Sequence, residues 1–407
     1  MSTSRSRAIG YWMGAALGCI AGAGCGSTPL ETGETGTEPA TGTGETELAV
    51  PADWVGREIG VPIPRLRRVG RAESKIDALV AAPVLVRPQV VDSARDAEAQ
   101  RALVSQIRAM GPDGSIYDLL ASSGEMHAVA ERLRETGANG ASQRSDPPIR
   151  TLSLSKGIDS RVRWPNTNSD FPRDTIGKVG LACTGTLFEQ RLVLTAFHCL
   201  LSKSGAWVSD ATFSAGRDSG IKPYGTVDHV WKYWDQAFID GRCYDPANYT
   251  ENCAKYDWAV LVLGSTPTAS NGATPGYMGF ASQPNDTLLA NYAMYHAGYA
   301  GCLDPEPPKE NGSCVWDALW HQTFTCSTGT FTGSVNGWNR LFWHGCDATA
   351  GHSGGALYSW SPGSNGPYIV ATHVGSNASD PHSATPNLAF RLDQGMVDAM
   401  LYWRSIY

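Results

Sequence analysis

Cysteine placement is the feature that most limits what this chain can fold into. The chain contains ten cysteines: Cys19 and Cys25 lie near the start, and the other eight run from Cys183 to Cys346. An even set confined to one stretch is typical of a domain cross-linked by disulfides, and disulfides persist in oxidising compartments. With 407 residues, the chain has room for two or three domains. The cysteine-rich part is therefore predicted to be an exported domain.

The N-terminus also predicts export. Residues 1–25 have the layout of a secretory signal peptide, with two arginines before an apolar stretch of small residues. Two endings stay open: residues 21–23 fit a cleavage site for release, whereas residues 22–25 resemble a bacterial lipoprotein box with Cys25 as the lipidated residue. Residues 26–50 are rich in Thr, Gly and Glu and predict a disordered tether. A tether directly after a cysteine favours the lipoprotein alternative, in which the lipid is the one membrane attachment.

Residues 51–150 form a separate zone that contains no cysteine. Helical spacing of apolar residues predicts two helices here, over Ala94–Met110 and Met126–Leu133, so a small and mostly helical region is expected. No motif in this zone indicates a chemistry.

The sequence pattern changes from about residue 150, where short β-prone runs alternate with clusters of turn residues. This pattern predicts an all-β barrel or sandwich. The final stretch, Asp393–Tyr407, is predicted to be a helix, because Met396, Met400 and Trp403 are spaced to share one face. The predicted strands are Val179–Ala182, Leu192–Ala196, Trp258–Leu263, Ala356–Trp360 and Ile369–His373.

Composition excludes several function classes. Lys and Arg number 32 against 39 Asp and Glu, and the net charge of −7 argues against a nucleic-acid binder. The spacings CxxC and HExxH, which are typical of zinc sites, are both absent. Neither a metal nor any other cofactor is therefore expected.

Three short motifs together supply the groups that acyl transfer requires. His198 follows an apolar run and is flanked by Cys199, Asp257 precedes another apolar run, and Ser353 lies among glycines. In this order, Ser353 would be the nucleophile, His198 the base that takes its proton, and Asp257 the carboxylate that orients the imidazole. The N–H groups of Gly351 and Ser353 would form an oxyanion hole, because glycine permits the tight turn that brings them together.

These motifs resemble those of the chymotrypsin-like serine endopeptidases. Residues 195–199 (Thr-Ala-Phe-His-Cys) are similar to the family's T-A-A-H-C signature, and residues 351–355 (Gly-His-Ser-Gly-Gly) to its G-D-S-G-G. His352 stands where trypsin-type members have Asp, which argues against their activation switch and resembles the bacterial glutamyl-endopeptidase branch. The resemblance implies two packed six-stranded antiparallel β-barrels, protein or peptide substrates, and a disulfide between Cys183 and Cys199.

The resemblance leaves the side chain preferred at the substrate's P1 position open. Asp347 lies six residues before Ser353, where trypsin-type enzymes have the acid that binds Arg or Lys. His373 matches the histidine that the glutamyl branch places in its pocket for an acidic side chain. Asp347 and His373 are therefore the candidate pocket residues. Acidic preference is favoured over basic, and apolar or broad preference stays open.

The remaining cysteines are predicted to pair as Cys243–Cys253, Cys302–Cys314 and Cys326–Cys346. The first pair would close a short loop before Asp257, and the last would brace the entry to the Ser353 turn. Spacing alone does not decide connectivity, and the last four cysteines still permit three pairings.

The predicted organisation has four parts: signal peptide 1–25, tether 26–50, pro-segment 51–150 and protease domain 151–407. In related proteases such a pro-segment assists folding or blocks the cleft, so the chain's own pro-segment is an expected partner of an otherwise monomeric enzyme. Two alternatives remain. The chain could be a catalytically silent, protease-like binding protein, or residues 51–150 could be a permanent partner-binding module.

Overall fold

Antiparallel β-sheet forms most of the structure, and every residue described here lies in one compact unit, Glu45–Tyr407. The predicted signal peptide, the predicted lipidation site Cys25 and the predicted Cys302–Cys314 disulfide lie outside the described residues. The computed structural model describes residues 47–48, 66–71, 106–135, 160–165, 171–208, 211–245, 248–283, 285–300, 317–323, 325–335, 338–360, 367–376 and 384–407.

The described strands, in chain order, are β1 (Glu47–Leu48), β2 (Leu66–Arg71), β3 (Ile107–Met110), β4 (Ser115–Leu119), β5 (Val162–Arg163), β6 (Ile176–Val179), β7 (Cys183–Glu189), β8 (Leu192–Thr195), β9 (Phe213–Ala215), β10 (His229–Asp235), β11 (Ala259–Leu263), β12 (Gly279–Phe280), β13 (Met294–Tyr299), β14 (Leu319–His321), β15 (Thr328–Val335), β16 (Trp338–His344), β17 (Ala356–Trp360), β18 (Pro367–Ser376) and β19 (Asn387–Arg391). The α-helices are α1 (Ser123–Glu135), α2 (Gln236–Asp240), α3 (Glu251–Ala254), α4 (Asp286–Ala290) and α5 (Gln394–Ile406), and two short 3-10 helices cover Arg173–Thr175 and Phe197–Leu200. Among the described residues, no helix has both the length and the apolar character needed to cross a membrane.

Six strands close the first barrel. They are hydrogen-bonded in the order β9–β6–β7–β8–β11–β10. Phe213, at the start of β9, and Val227, just before β10, exchange two backbone hydrogen bonds of 2.9 Å, which joins the two ends of the sheet. Closure in this way leaves few unpaired edges in the barrel.

The second barrel closes in the same manner. Its order is β15–β16–β19–β18–β17–β13. The N–H of Cys326, two residues before β15, donates to the carbonyl of Met294 in β13 at 2.8 Å. The prediction of two six-stranded antiparallel barrels followed by a C-terminal helix is confirmed.

Four of the five predicted strands are present, as β8, β11, β17 and β18. The prediction of a strand over Val179–Ala182 is wrong, because Val179 ends β6 and residues 180–182 form the turn to β7, with Gly180 at φ +54°.

The apolar runs in β8 and β11 are buried on both faces. In β8, Leu192 and Leu194 belong to one hydrophobic cluster, and Val193 belongs to another. In β11, Val260 and Leu261 divide between the same two clusters. Side chains alternate across a strand, so a strand between two cores needs a continuous apolar run rather than an alternating one.

The region before residue 150 differs from the prediction. Its described residues hold strands β2, β3 and β4 as well as helix α1, so the described part of this region is not mostly helical. The helix predicted over Ala94–Met110 is wrong at its described end, because β3 pairs with both β4 and β10. A turn with Gly114 at φ +75° closes the β3–β4 hairpin. Glu47 and Leu48, which the tether prediction includes, form β1 and pair with β2; the rest of residues 26–50 lies outside the described residues.

The other two helices that were predicted from the spacing of apolar residues are both present. The Met126–Leu133 prediction falls within α1, and the Asp393–Tyr407 prediction matches α5. Asp393 caps α5 by accepting a hydrogen bond from the N–H of Met396 at 2.8 Å. The same carboxylate accepts from Nε of Arg340 in β16 at 2.8 Å, and both side chains are fully buried.

We expect Asp393→Ala to destabilise the protein by about 3–5 kcal/mol, because it leaves the buried Arg340 guanidinium without its close carboxylate. Asp393→Asn keeps an oxygen for the cap and should be less damaging by about 1 kcal/mol. Equilibrium unfolding in denaturant measures both changes. Asp228→Ala, at an exposed position, is the control and should change stability by less than about 0.5 kcal/mol. A loss of that small size in Asp393→Ala would contradict the role given to the ion pair.

Candidate active site

His198 and Asp257 are brought together by two neighbouring strands of the first barrel. Thr195 ends β8 and faces Ala259, which begins β11. Antiparallel neighbours run in opposite directions, so the residues that follow β8 and the residues that precede β11 lie at the same end of the two strands. His198 follows in the 3-10 helix Phe197–Leu200, and Asp257 lies two residues before β11. Two motifs that are distant in sequence therefore meet at one edge of the barrel.

The Asp257 carboxylate holds His198 by two hydrogen bonds. The backbone N–H of His198 donates to Oδ1 at 2.9 Å, and the imidazole Nδ1 donates to Oδ2 at 2.6 Å. An ionised carboxylate can only accept, so the proton of the neutral imidazole is on Nδ1 and Nε2 is left as a base. Asp257 is fully buried, whereas 29% of the His198 side chain is exposed. The ring is thus both anchored and accessible.

Two opposing effects act on the pKa of His198. Burial disfavours the imidazolium and lowers the pKa, while the charge of Asp257 and its hydrogen bond raise it. The two contributions of Asp257 together exceed the effect of burial, so the pKa of His198 lies above its ordinary value of 6.5. The pair therefore stabilises a protonated imidazole, the form that a general base reaches after taking a proton.

A third residue completes the surroundings of Asp257. The hydroxyl of Tyr249 lies 2.6 Å from Oδ2 of Asp257 and 2.9 Å from the carbonyl oxygen of Val374. A phenol has one proton to donate, and the charged carboxylate is the closer acceptor. Burial, reinforced by the negative charge of Asp257, raises the pKa of Tyr249 well above its ordinary value, so this donor stays protonated.

The turn that contains Ser353 belongs to the second barrel and is fastened to the first by Thr184. The Thr184 N–H donates to the Ser353 carbonyl at 2.9 Å, and its hydroxyl donates to the Gly351 carbonyl at 2.7 Å. Cys199, the neighbour of His198, places its Sγ 3.6 Å from the same Ser353 carbonyl oxygen. The structure therefore brings the Ser353 turn against the segment that holds His198.

Only glycine fits at position 354. Its φ of +83° is in the left-handed region, which side chains rarely adopt. A Cβ there would also overlap the Thr184 carbonyl oxygen and the Thr195 hydroxyl. This close approach to the first barrel is what allows the Thr184 hydrogen bonds.

Two N–H groups of the turn are left as donors. Those of His352, Gly354 and Gly355 donate to backbone carbonyls. Among the described residues, none accepts a hydrogen bond from the N–H of Gly351 or of Ser353. Both residues are partly exposed, and theirs are the two N–H groups predicted to form the oxyanion hole.

His373 is buried in β18 next to this turn, and its carbonyl accepts from the Gly354 N–H at 2.8 Å. Its Nδ1 lies 3.2 Å from Nε2 of His344. The N–H of Cys346 donates to Nδ1 of His344 at 3.3 Å, so the His344 proton is on Nε2 and is donated to His373. Burial holds the pKa of both histidines well below the ordinary value. A neutral His373 therefore has its own proton on Nε2, as a donor.

Asp347, the other candidate pocket residue, is occupied by a neighbouring segment. Its Oδ2 accepts hydrogen bonds from the backbone N–H of Ser160 at 2.8 Å and from the Ser160 hydroxyl at 2.5 Å. The resemblance made Asp347 a candidate pocket residue, and the structure places its carboxylate against Ser160.

Arg161 orders a chain of buried groups behind Ser353. Its Nη1 donates to Thr349 Oγ1 at 2.9 Å and to Nε2 of His352 at 2.8 Å. Since arginine only donates, the His352 proton is on Nδ1, which donates to Nε2 of His296 at 3.0 Å. His296 then donates from Nδ1 to the Ala356 carbonyl at 3.0 Å. The direction of every bond in this chain follows from the guanidinium at its start.

Three disulfides form as predicted. They are Cys183–Cys199, Cys243–Cys253 and Cys326–Cys346. Within the described ranges, one group of three side chains has donor atoms close enough to hold a metal, namely Cys183, His198 and Cys199. Both of its sulfurs are in the disulfide and cannot act as thiolate ligands, so the group does not fit a metal ion.

Sequence comparison identifies two relatives. The chain is 26% identical over 123 residues to the extracellular metalloprotease of Bacillus subtilis, which is 30% of this chain and 32% of that protein. It is 29% identical over 149 residues to the glutamyl endopeptidase of Bacillus licheniformis, which is 36% of this chain and 42% of that protein. The chain thus matches less than half the length of either relative. No protein-family model matches.

Among solved structures, a Glu endopeptidase aligns with a TM-score of 0.44 at 19% identity, covering 62% of this chain and 100% of that one. The protease Anisep from Arthrobacter nicotinovorans aligns with a TM-score of 0.38 at 18% identity, covering 58% of this chain and 98% of that one. The similarity in sequence to glutamyl endopeptidase confirms the resemblance that the motifs predicted.

Sequence reasoning missed five residues of this site. Tyr249 is in no motif, and Thr184 lies in the run Cys183–Leu187 before the His198 motif, where nothing local marks it as a hydrogen-bond donor. His296 and His344 are isolated histidines in apolar strands, which usually indicates a satisfied core residue. Arg161 lies in the stretch 157–161 that resembles the glutamyl branch, but that resemblance assigned it no role.

We expect His198 to titrate above pH 6.5 in the unchanged protein and below 6.5 in Asp257→Asn, because the substitution removes the charge and leaves the effect of burial. Proton NMR of the imidazole signals measures both values. His229 is the internal control, since burial lowers its pKa to about 4 independently of Asp257. Equal His198 titration in the two proteins would show that Asp257 does not set this pKa.

Proposed function

We propose that the chain is a serine endopeptidase that hydrolyses peptide bonds through an acyl-enzyme on Ser353. The observation that supports this most is the His198–Asp257 pair at 2.6 Å, next to a glycine turn that holds Ser353 and two open N–H donors. Nucleophile, base, orienting carboxylate and oxyanion donors are the parts that acyl transfer needs.

In the first half of the reaction, Oγ of Ser353 bonds to the scissile carbonyl carbon as its proton passes to Nε2 of His198. The carbonyl electron pair moves onto the oxygen, and the N–H groups of Gly351 and Ser353 donate to that oxyanion. Asp257 stabilises the imidazolium. The C–N bond then breaks, and the departing amine takes the proton from His198.

In the second half, water replaces the amine. Its proton passes to His198 while its oxygen bonds to the carbon of the Ser353 ester, and a second oxyanion forms at the same two donors. Collapse breaks the ester bond, Ser353 regains its proton from His198, and the carboxylic acid product leaves. The Thr184 hydrogen bonds keep the turn in place through both halves, because they bind carbonyls of Gly351 and Ser353 that do not react.

The named activities of the relatives support a peptidase. Both relatives are proteases by name, and one is named extracellular. Together with residues 1–25 and the three disulfides, this supports an exported enzyme of a bacterial cell. Lipidation at Cys25, the tether that follows it and the monomeric state are part of the proposal.

For substrate preference we propose an acidic P1 residue. Nε2–H of His373 is a neutral donor beside the Ser353 turn, suited to a carboxylate. The relative from Bacillus licheniformis is named a glutamyl endopeptidase. Asp347 does not favour a basic P1 residue, because Ser160 already donates two hydrogen bonds to its Oδ2.

The Bacillus subtilis relative is named a metalloprotease, which makes a metal-dependent reaction the alternative. The donor group found among the described residues does not fit one, because its two cysteines are paired with each other. No step of the proposed reaction is assigned to a metal.

We expect an organophosphonate ester to label the protein at Ser353, and Ser353→Ala to lose both labelling and peptidase activity, by about 10⁶-fold in kcat. Mass spectrometry of the labelled peptide and turnover of a peptide library measure these. Ser204→Ala, at an exposed serine, should behave as the unchanged protein. Folded protein that is neither labelled nor active would favour a catalytically silent binding protein, and loss of activity with a chelator but not the phosphonate would favour a metal enzyme.

We expect His373→Ala to lower kcat/KM for substrates with Glu or Asp at P1 by about 10–100-fold, the equivalent of one hydrogen bond to a charged group. Substrates with apolar P1 residues should change little. Paired peptides that differ only at P1 measure the ratio, and His321→Ala, which removes a ring stacked on Trp164, is the control. An equal loss of kcat/KM for all P1 residues would show that His373 is not part of the specificity pocket.

A further inference from the structure

Residues 106–135, which we call the N-terminal segment, extend the sheet of the first barrel. β3 pairs with the second half of β10, with Ile107 opposite Asp235 and Met110 opposite Lys232. The other edge of β10 pairs with β11. β3 therefore completes the hydrogen bonds of a strand that would otherwise expose an edge.

Side chains of the hairpin belong to the cores of the barrel. Met110 and Ile116 lie in the same hydrophobic cluster as Trp234. On the opposite face, the ring of Tyr117 packs against Trp231 with centroids 5.4 Å apart. Removing the hairpin would expose apolar surface on both faces of β10.

Helix α1 buries a complete apolar stripe against the C-terminal helix α5. Met126, Val129, Ala130 and Leu133 are spaced as one helical face, and all are buried in the cluster that contains most of α5. His127 Nδ1 also lies 2.9 Å from Oδ2 of Asp398, a buried residue of α5.

The start of α1 is a capping box, which indicates a helix that is stable in this position. The Glu125 N–H bonds to the Ser122 hydroxyl at 3.1 Å, and the Ser122 N–H donates to the Glu125 carboxylate at 2.7 Å. A segment that only covered the cleft would need none of these contacts with β10 and α5.

We propose that the N-terminal segment is a permanent part of the folded catalytic unit, and that it stays bound when the chain is cut between residues 136 and 159. The cut protein would be a non-covalent two-chain complex rather than an enzyme freed from its pro-segment. The occupant of this face of β10 and α5 is thus the chain's own residues 106–135. The proposal concerns packing and holds whether or not the proposed peptidase activity is found.

The test uses the full chain with Ser353→Ala, so that it does not cut itself. A recognition sequence for a site-specific protease is inserted after residue 145, and the folded protein is cut. In size-exclusion chromatography without denaturant, we expect the two fragments to elute together in equal amounts. Elution of a free N-terminal fragment from an otherwise folded remainder would overturn the proposal.

A matched pair of substitutions tests the helix contact itself. Leu133→Ser disturbs the buried stripe, whereas Arg132→Ser changes the exposed neighbour. After cutting, the two fragments of the Leu133→Ser protein should separate at a lower urea concentration than the fragments of the unchanged sequence. The fragments of the Arg132→Ser protein should separate at the same urea concentration as those of the unchanged sequence. Equal behaviour of all three would contradict the packing argument, and the cut of the unchanged sequence remains decisive if Leu133→Ser does not fold.

Phosphonate labelling of the cut protein with Ser353 present separates this role from inhibition. We expect the same labelling rate before and after the cut. A rate that rises when the N-terminal fragment is removed would show an inhibitory pro-segment and overturn the proposal.

Discussion

The buried carboxylate of Asp257 is the group on which the geometry of the site depends. It is fully buried and accepts hydrogen bonds from the His198 backbone, the His198 ring and Tyr249. A buried charge without such partners would be strongly unfavourable. The need to satisfy this charge therefore ties the segment after β8 to the segment before β11. One anion thus orients His198 and keeps the two segments together.

Around that anion, neutral histidines act as directed hydrogen-bond links rather than charges. Burial lowers the pKa of His296 to about 4 and that of His352 well below its ordinary value, so neither holds a charge at neutral pH. Arg161, which can only donate, determines where their protons lie. The N–H of Cys346 does the same for His344 and His373. The two chains end at Ala356 and His373, which neighbour the Ser353 turn, so the turn is ordered by groups that make or break no bond in the proposed reaction.

Much of the fold could be predicted from sequence where one local pattern had one structural solution. The Leu192–Ala196 and Ala356–Trp360 runs are strands because continuous apolar runs suit strands buried on both faces. The helix prediction over residues 94–110 failed at its described end, because the spacing of Leu103, Ile107 and Met110 fits a helix, while pairing with the distant β10 makes residues 107–110 a strand. Tyr249 and Thr184 could not be found, since each acts only through partners more than one strand away.

The sequence by itself indicated the candidate reactive side chains, which cysteines could pair, and the strands β8, β11, β17 and β18, because each of these rests on residue type or on local pattern. Tertiary structure alone decided what Asp347 and His373 contact, where the histidine protons lie, and that residues 106–135 join the first barrel. The physical reason is the same in each case. Hydrogen-bond direction and burial are properties of pairs, and several of these pairs, such as Ser160 with Asp347 and Met110 with Lys232, are separated by more than a hundred residues of chain.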